Sequence, residues 1–309
     1  MDTSPLLEVC IPSRHGSPLT LRNPVMPASG TFGYGTEYAG LVDIQQLGAV
    51  VTKGVTLVPW AGNPQPRVWE TACGMLNSIG LENIGVDTVI RDKAPVWATW
   101  TTPVIVNVAG QAMQEYVCVA SRLDGVSGVA ALEINISCPN VSAGGIEFGL
   151  SPESAGTLTR AVRGATSLPL IVKLSPNVGD IVLIATAVAD AGADAICVVN
   201  TLRGTAIDVE RRCFRLGRPA GGLSGPAIKP IALHMVHAVA HAIPVPVIGC
   251  GGIATAEDAL EFIMAGATAV QFGTATFTNA DSMNEAVRGL REFMARHGIE
   301  TLDEIRGIL

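Results

Sequence analysis

Charge is scarce in this chain. Only 15% of its 309 residues are Asp, Glu, Lys or Arg, against roughly 25% in an ordinary soluble domain. The 20 basic residues are outnumbered by 27 acidic ones, a net charge of −7, so no basic surface is available to neutralise phosphate backbones and nucleic-acid binding is excluded. Long apolar runs are missing too. The longest uncharged stretch, Pro230 to Ala256, holds three prolines, three histidines and three glycines, a mixture no spanning helix combines, so no membrane segment is expected. The opening residues MDTSPLLEVCIPSRHG lack both a basic start and an apolar core, which argues against a secretory signal and for a cytoplasmic protein. Seven cysteines (10, 73, 118, 138, 197, 213 and 250) are odd in number and never spaced C-x-x-C, so no disulfide framework, zinc site or iron–sulfur cluster is expected on this chain.

What is present is 48% hydrophobic residue, arranged as short β-branched runs that each precede a segment of helical period. Eight such units follow one another, with strands expected at Pro24–Ala28, Ala49–Lys53, Pro103–Val108, Ala130–Ile136, Leu170–Leu174, Ala195–Val199, Val245–Gly249 and Ala269–Phe272. Helical segments are expected at about 36–47, 85–99, 112–124, 152–166, 179–191, 227–242, 255–265 and 283–297. Strands apolar on both faces and alternating with helices close most naturally as an α/β (β/α)8 TIM barrel. No composition break marks a second domain, so residues 1–309 read as one barrel. An N-terminal hairpin, LLEVCI and PLTLRN, is expected to cover its bottom. Long connections at roughly 54–84, 137–150 and 200–226 follow strand C-termini, the face where barrels keep their chemistry.

Only four lysines occur, and Lys53 and Lys173 both end apolar strands. A lysine there can snorkel to the rim, but two scarce ammoniums on one face suit an anionic ligand. Asn77, Asn107, Asn135, Asn140 and Asn200 crowd the same rim. Amides that both donate and accept suit a planar heterocycle such as a pyrimidine or a flavin.

Gly249-Cys250-Gly251-Gly252-Ile253-Ala254 matches a dinucleotide fingerprint. Too little chain follows for a Rossmann sheet, and the next strand lacks an acid for a ribose, so the match is rejected. The same glycines, with Gly273 and Thr274 after strand eight, fit the phosphate cradle of a barrel and imply a mononucleotide. Cys138, just beyond strand four, could act as nucleophile or base. Cys10, Cys118 and Cys197 read as small buried apolar residues. His234, His237 and His241 read as helix surface, and no carboxylate or histidine spacing suggests a metal.

The segments NPVMPASGTFGYG, TKG, GNPQPR, NSIGLEN, INISCPN, VNT, GGLSGPAIKP, GCGGI and FGTA together resemble the class 1 dihydroorotate dehydrogenases over essentially the whole chain. The PASGTFGYG opening and the Thr52-Lys53-Gly54 junction look most like the NAD-linked subtype 1B. The fumarate-using subtype 1A is the alternative. A flavin-free phosphate-binding barrel, lyase or isomerase, shares the glycine loops but has no need of Cys138 with this asparagine set.

The resemblance implies FMN held by Ser29, Lys53, Gly54, Asn107, Asn135, Lys173, Val199, Gly225, Gly251, Gly252, Gly273 and Thr274. It implies substrate held by Lys53, Asn77, Ile79, Gly80, Leu81, Asn135, Asn140, Asn200 and Thr201, with Cys138 as the base. The implied reaction takes dihydroorotate to orotate in pyrimidine biosynthesis: a proton leaves C5 to the cysteine and a hydride leaves C6 to the flavin. Electrons would then reach NAD through a partner subunit carrying FAD and an iron–sulfur cluster. The low charge content leaves apolar surface for a homodimer and for that partner, a heterotetramer in all.

Overall fold

The computed structural model describes residues 5–136 and 148–309. Eight parallel strands, Val25–Pro27, Val50–Val51, Val104–Val108, Ala131–Asn135, Leu170–Lys173, Ala195–Val198, Val247–Cys250 and Ala267–Phe272, form one sheet. From the second strand onward each pairs with its neighbour in the chain, and the last pairs with the first. The seam between the first two is bridged by the Gly48 N–H, which donates to Val25 O at 2.8 Å. A Cβ at Gly48 would lie 2.0 Å from Asn23 O, so only glycine lets the seam come this close. The sheet is thus a nearly closed (β/α)8 barrel. All of its strand residues are buried, and the apolar ones merge with the helices' inner faces into one core reaching from Leu7 to Ile305.

Seven of the eight helical expectations correspond to helices, three of them with a side-chain cap. Ser151 caps Pro152–Arg163, Asp180 caps Ile181–Asp190 through the Val182 and Leu183 N–H groups, and Thr255 with Asp258 forms a capping box on Ala256–Met264. The helix over residues 85–97 is interrupted by a π-helical turn at Val89–Lys93. Pro95 has no N–H with which to continue the regular ladder.

The expected helix at 36–47 is not formed. That segment is a run of turns ending in one 3-10 turn, Ile44–Gln46, capped by Asp43. Gly33 and Gly35 hold positive φ just upstream, and the Glu37 carboxylate accepts the Tyr34 N–H at 2.8 Å. The aromatics Phe32, Tyr34 and Tyr38 anchor the turns to the core instead. A short helix at Ala275–Thr278, after strand eight, was not anticipated.

The hairpin forms as expected, Val9–Ile11 against Leu19–Leu21. It sits at the strands' N-terminal ends, where Asp194 accepts the Arg14 N–H and the Leu170 N–H while pairing with Arg163 at 2.9 Å. Cys10, expected to be buried, points outward from this hairpin and is exposed; Cys118 is half-buried.

Two of the long upper segments are not loose loops. Val68–Thr71 and Gly74–Asn77, from the connection after strand two, pair with Leu202–Gly204 and Gly221–Ser224, from the one after strand six, as a four-stranded antiparallel sheet. A second small hairpin, Ile207–Asp208 with Cys213–Phe214, projects from it.

Candidate active site

The barrel register builds the floor of the site. Asn107 lies opposite Glu133, Lys173 opposite Cys197, and Cys250 opposite Gln271 on adjacent strands. Because side chains alternate across a strand, these six point the same way, into the barrel interior. Asn107, Glu133, Cys197 and Gln271 are fully buried, and Lys173 is 3% exposed.

Their hydrogen bonds interlock. Glu133 Oε1 accepts from Asn107 Nδ2 at 2.7 Å and Oε2 accepts from Gln271 Nε2 at 2.6 Å. Gln271 Oε1 accepts from Lys173 Nζ at 2.8 Å and from the Cys197 thiol at 3.4 Å. Lys173 Nζ also reaches Cys250 Sγ at 3.6 Å and stands 4.0 Å from Glu133.

Burial disfavours the Lys173 cation, but Cys197, Cys250 and Glu133 more than offset it and raise its pKa above the usual lysine value. Lys173 is therefore a held cation, not a snorkelling one. Cys250 is lowered to about 7 by its hydrogen bond with Cys197 and by the Lys173 ammonium, against the cost of burial. Cys197 moves the other way, pushed well up by burial and by its bond to Cys250.

Around this floor the structure brings the expected residues together at the strands' C-terminal ends. Lys53 is half-buried, its N–H tied to Gly33 O at 2.7 Å and its carbonyl accepting the Thr52 hydroxyl at 2.9 Å. Gly54 follows beside Asn107. Ser29 lies in the turn after strand one. Asn135 ends strand four, where the Asn200 amide donates to its Oδ1 at 3.5 Å and Tyr116 Oη donates to its carbonyl at 2.8 Å. Val199 is buried after strand six, and Asn200 Oδ1 accepts the Thr201 N–H at 2.8 Å.

On the opposite wall, Asn77 stands in the antiparallel sheet and its amide donates to Gly222 O at 3.3 Å. Ile79, Gly80 and Leu81 continue from it, Gly80 and Leu81 with positive φ of 74° and 57°. Arg67 fastens this turn through Ala61 O at 2.8 Å and a pairing with Glu82.

On the third side Gly225, from the connection after strand six, meets Gly251 and Gly252 after strand seven and Gly273 and Thr274 after strand eight. Gly252 has φ +77°, and a Cβ there would lie 2.7 to 2.9 Å from Lys229 and the Gly225 carbonyl. A bare backbone with its N–H groups free of side chains suits a phosphate. Thr274 Oγ1 donates to Ser224 Oγ at 2.8 Å. Cys138 and Asn140 lie outside the described residues. The sequence reading did not single out Glu133, Gln271, Arg67 or Ser224. A lone acid or amide inside an apolar strand was the available signal for the first two.

A family model described as dihydroorotate dehydrogenase matches residues 16–294. The chain belongs to the dihydroorotate dehydrogenase family. Its relatives include the catalytic subunit of dihydroorotate dehydrogenase B (NAD(+)) from Trichlorobacter lovleyi, 56% identical over 94% of this chain and 96% of the relative. Catalytic subunits of the same name from Geobacter sp. (strain M21) and Geobacter sulfurreducens are each 54% identical over 94% of this chain and 95% of theirs. The family is one of oxidoreductases, and no helix among the described residues is long and apolar enough to cross a membrane.

Proposed function

We propose that this chain, acting as one catalytic domain over residues 1–309, oxidises (S)-dihydroorotate to orotate with FMN as its own cofactor and delivers the electrons to NAD through a partner subunit. The observation that carries this reading is the end-to-end similarity to NAD-linked catalytic subunits. The site's donor set fits FMN. Asn107 Oδ1 is buried and has no donor among the described residues, Lys173 is a held cation beside it, and the glycine loops leave bare backbone for a phosphate. When bound, FMN supplies the acceptor for the hydride released from substrate C6.

The chain's own residues do the rest. Ser29, Lys53, Gly54, Asn107, Asn135, Lys173 and Val199 face the ring, and Gly225, Gly251, Gly252, Gly273 and Thr274 hold the phosphate. Lys173 offsets negative charge that develops on the reduced ring, and Lys53 anchors the orotate carboxylate. Asn77, Ile79, Gly80, Leu81, Asn135, Asn140, Asn200 and Thr201 fix the pyrimidine edge, so that Cys138 as thiolate removes the C5 proton. The partner subunit carries FAD and an iron–sulfur cluster, two catalytic chains form the central dimer, and the assembly works in the cytoplasm.

The test is an absorption spectrum of the purified chain followed by anaerobic dihydroorotate. Flavin bands that bleach support the reading, and a colourless chain refutes it. Efficient fumarate reduction by the chain alone would reassign it to subtype 1A.

A further inference from the structure

We propose that Glu133 and Gln271 are positioning residues that set which atoms the site floor presents to the flavin ring. The proposal rests on the flavin reading above and goes beyond it by assigning a role to two side chains beneath the ligand-facing shell. An ionised carboxylate is an acceptor only. Both amides that touch Glu133 must therefore turn their NH2 groups toward it, as the 2.7 Å and 2.6 Å contacts record. Each amide is planar, so its oxygen then faces the other way.

For Gln271 the consequence is that Oε1 faces Lys173 Nζ at 2.8 Å and holds the ammonium in place. For Asn107 the consequence is an oxygen turned from the floor toward Gly54. It lies 3.2 Å from where a Gly54 Cβ would be and has no donor among the described residues. A buried acceptor without a donor is unfavourable, and it is satisfied by a ligand N–H. The ring of a flavin carries an imide N–H and, across the same pyrimidine, the edge that becomes negative on reduction. One buried carboxylate thus orients an acceptor for the first and, through Gln271, a cation for the second.

Replacing the carboxylate by an amide breaks this logic without changing its size. A Gln at 133 can offer its oxygen to only one of Asn107 and Gln271, and its own NH2 faces the other. That neighbour must then turn over, so either Asn107 presents NH2 to the ring or Gln271 presents NH2 to Lys173.

The experiment titrates the flavin-free full chain with oxidised FMN, whose ring is neutral, and in parallel with ribitol 5-phosphate, which has the tail but no ring. Glu133→Gln is expected to lose at least about tenfold in FMN affinity while its affinity for ribitol phosphate stays within about twofold of the parent. Glu133→Asp, which restores an acceptor-only group, is expected to recover part of the loss. FMN affinity within twofold of the parent overturns the proposal, and so does an equal loss on both probes, which marks general loosening. If Glu133→Gln does not fold, Gln271→Met carries the same expectation and the same refutation. A parent chain that takes up no FMN removes the flavin reading itself, whereas a parent-like variant beside an FMN-loaded parent removes only the positioning role.

Discussion

Removing the Lys173 ammonium should destabilise this barrel more than its single contact with a carboxylate suggests. Lys173 and Glu133 lie inside the barrel at 3% and 0% exposure, 4.0 Å apart and linked through Gln271. Lys173→Met keeps most of the side-chain length, so the cavity left is small and the electrostatic effect dominates. It leaves Glu133 buried with two amide donors and no cation, and stranding one partner of a buried ion pair costs about 3–5 kcal/mol. For a chain of this size that is a fall of roughly 6 °C in the unfolding midpoint, using the usual unfolding entropy per residue. Glu133→Gln should cost a similar amount by stranding the ammonium. Combining the two removes both charges, so the double variant should lie closer to the parent than either single does. The assay is a double-mutant cycle on the flavin-free chain, by thermal or urea unfolding at pH 7. Single costs below about 1 kcal/mol, or a double cost equal to the sum of the singles, would refute the picture of one coupled buried pair.

Cys250 predicts a pH dependence. Its folded pKa, about 7, lies below the ordinary thiol value of 9.0, so its ionisation contributes stability that is fully present above the unfolded pKa and lost as pH falls through the folded one. The flavin-free chain should gain stability between about pH 7 and 9, and Cys250→Ala should flatten that rise; an unaltered slope sinks the assignment. Cys138→Ala should keep FMN yet slow dihydroorotate oxidation at least about 10²-fold, the scale of a positioned base, and Cys138→Ser should retain slight activity that increases with pH. Near-normal anaerobic flavin reduction in the alanine variant would remove Cys138 from the mechanism. Asn77→Ala should raise the dihydroorotate concentration needed for half-maximal rate and leave the flavin spectrum intact; loss of FMN with unchanged substrate affinity would reverse its assignment to the substrate wall. The purified chain should reduce dyes but not NAD+, and efficient NAD+ reduction without a second polypeptide would refute the partner.

The strands were legible because burial on both faces writes them as continuous β-branched runs, and all eight fall within a few residues of expectation. Caps such as Ser151 and Thr255 made several helix starts equally plain. Residues 36–47 misled because their apolar spacing serves an aromatic anchor around Phe32 and Tyr38, stacked at 4.2 Å, rather than a helix face. The upper antiparallel sheet stayed hidden because its strands come from connections far apart in the chain, and only long-range pairing such as Gly222 with Asn77 defines it. Candidates for the rim of the site could be picked out in the sequence, since lysines and asparagines at the ends of apolar strands are conspicuous. Its floor could not. Glu133 and Gln271 each look like a single polar residue misplaced in an apolar strand, and their meaning lies in a contact across 138 positions of sequence.

The two ends of the barrel divide their work by where charge is buried. At the lower end Asp194 is saturated by the Arg14 N–H, the Leu170 N–H and the Arg163 guanidinium. Every lone pair used there is matched by a donor of the chain itself, so the carboxylate ties hairpin to barrel, and the atom left over is a donor, Arg163 Nε. At the upper end Glu133 is matched in the same way, but the amide it orients leaves Asn107 Oδ1 without a donor among the described residues. The same device, a buried carboxylate satisfied by neighbouring donors, leaves a guanidinium N–H over in one place and an amide oxygen turned toward the site in the other. A ligand that completes the upper network stabilises the folded chain by its binding free energy. The lower network holds the scaffold whether or not the site is filled.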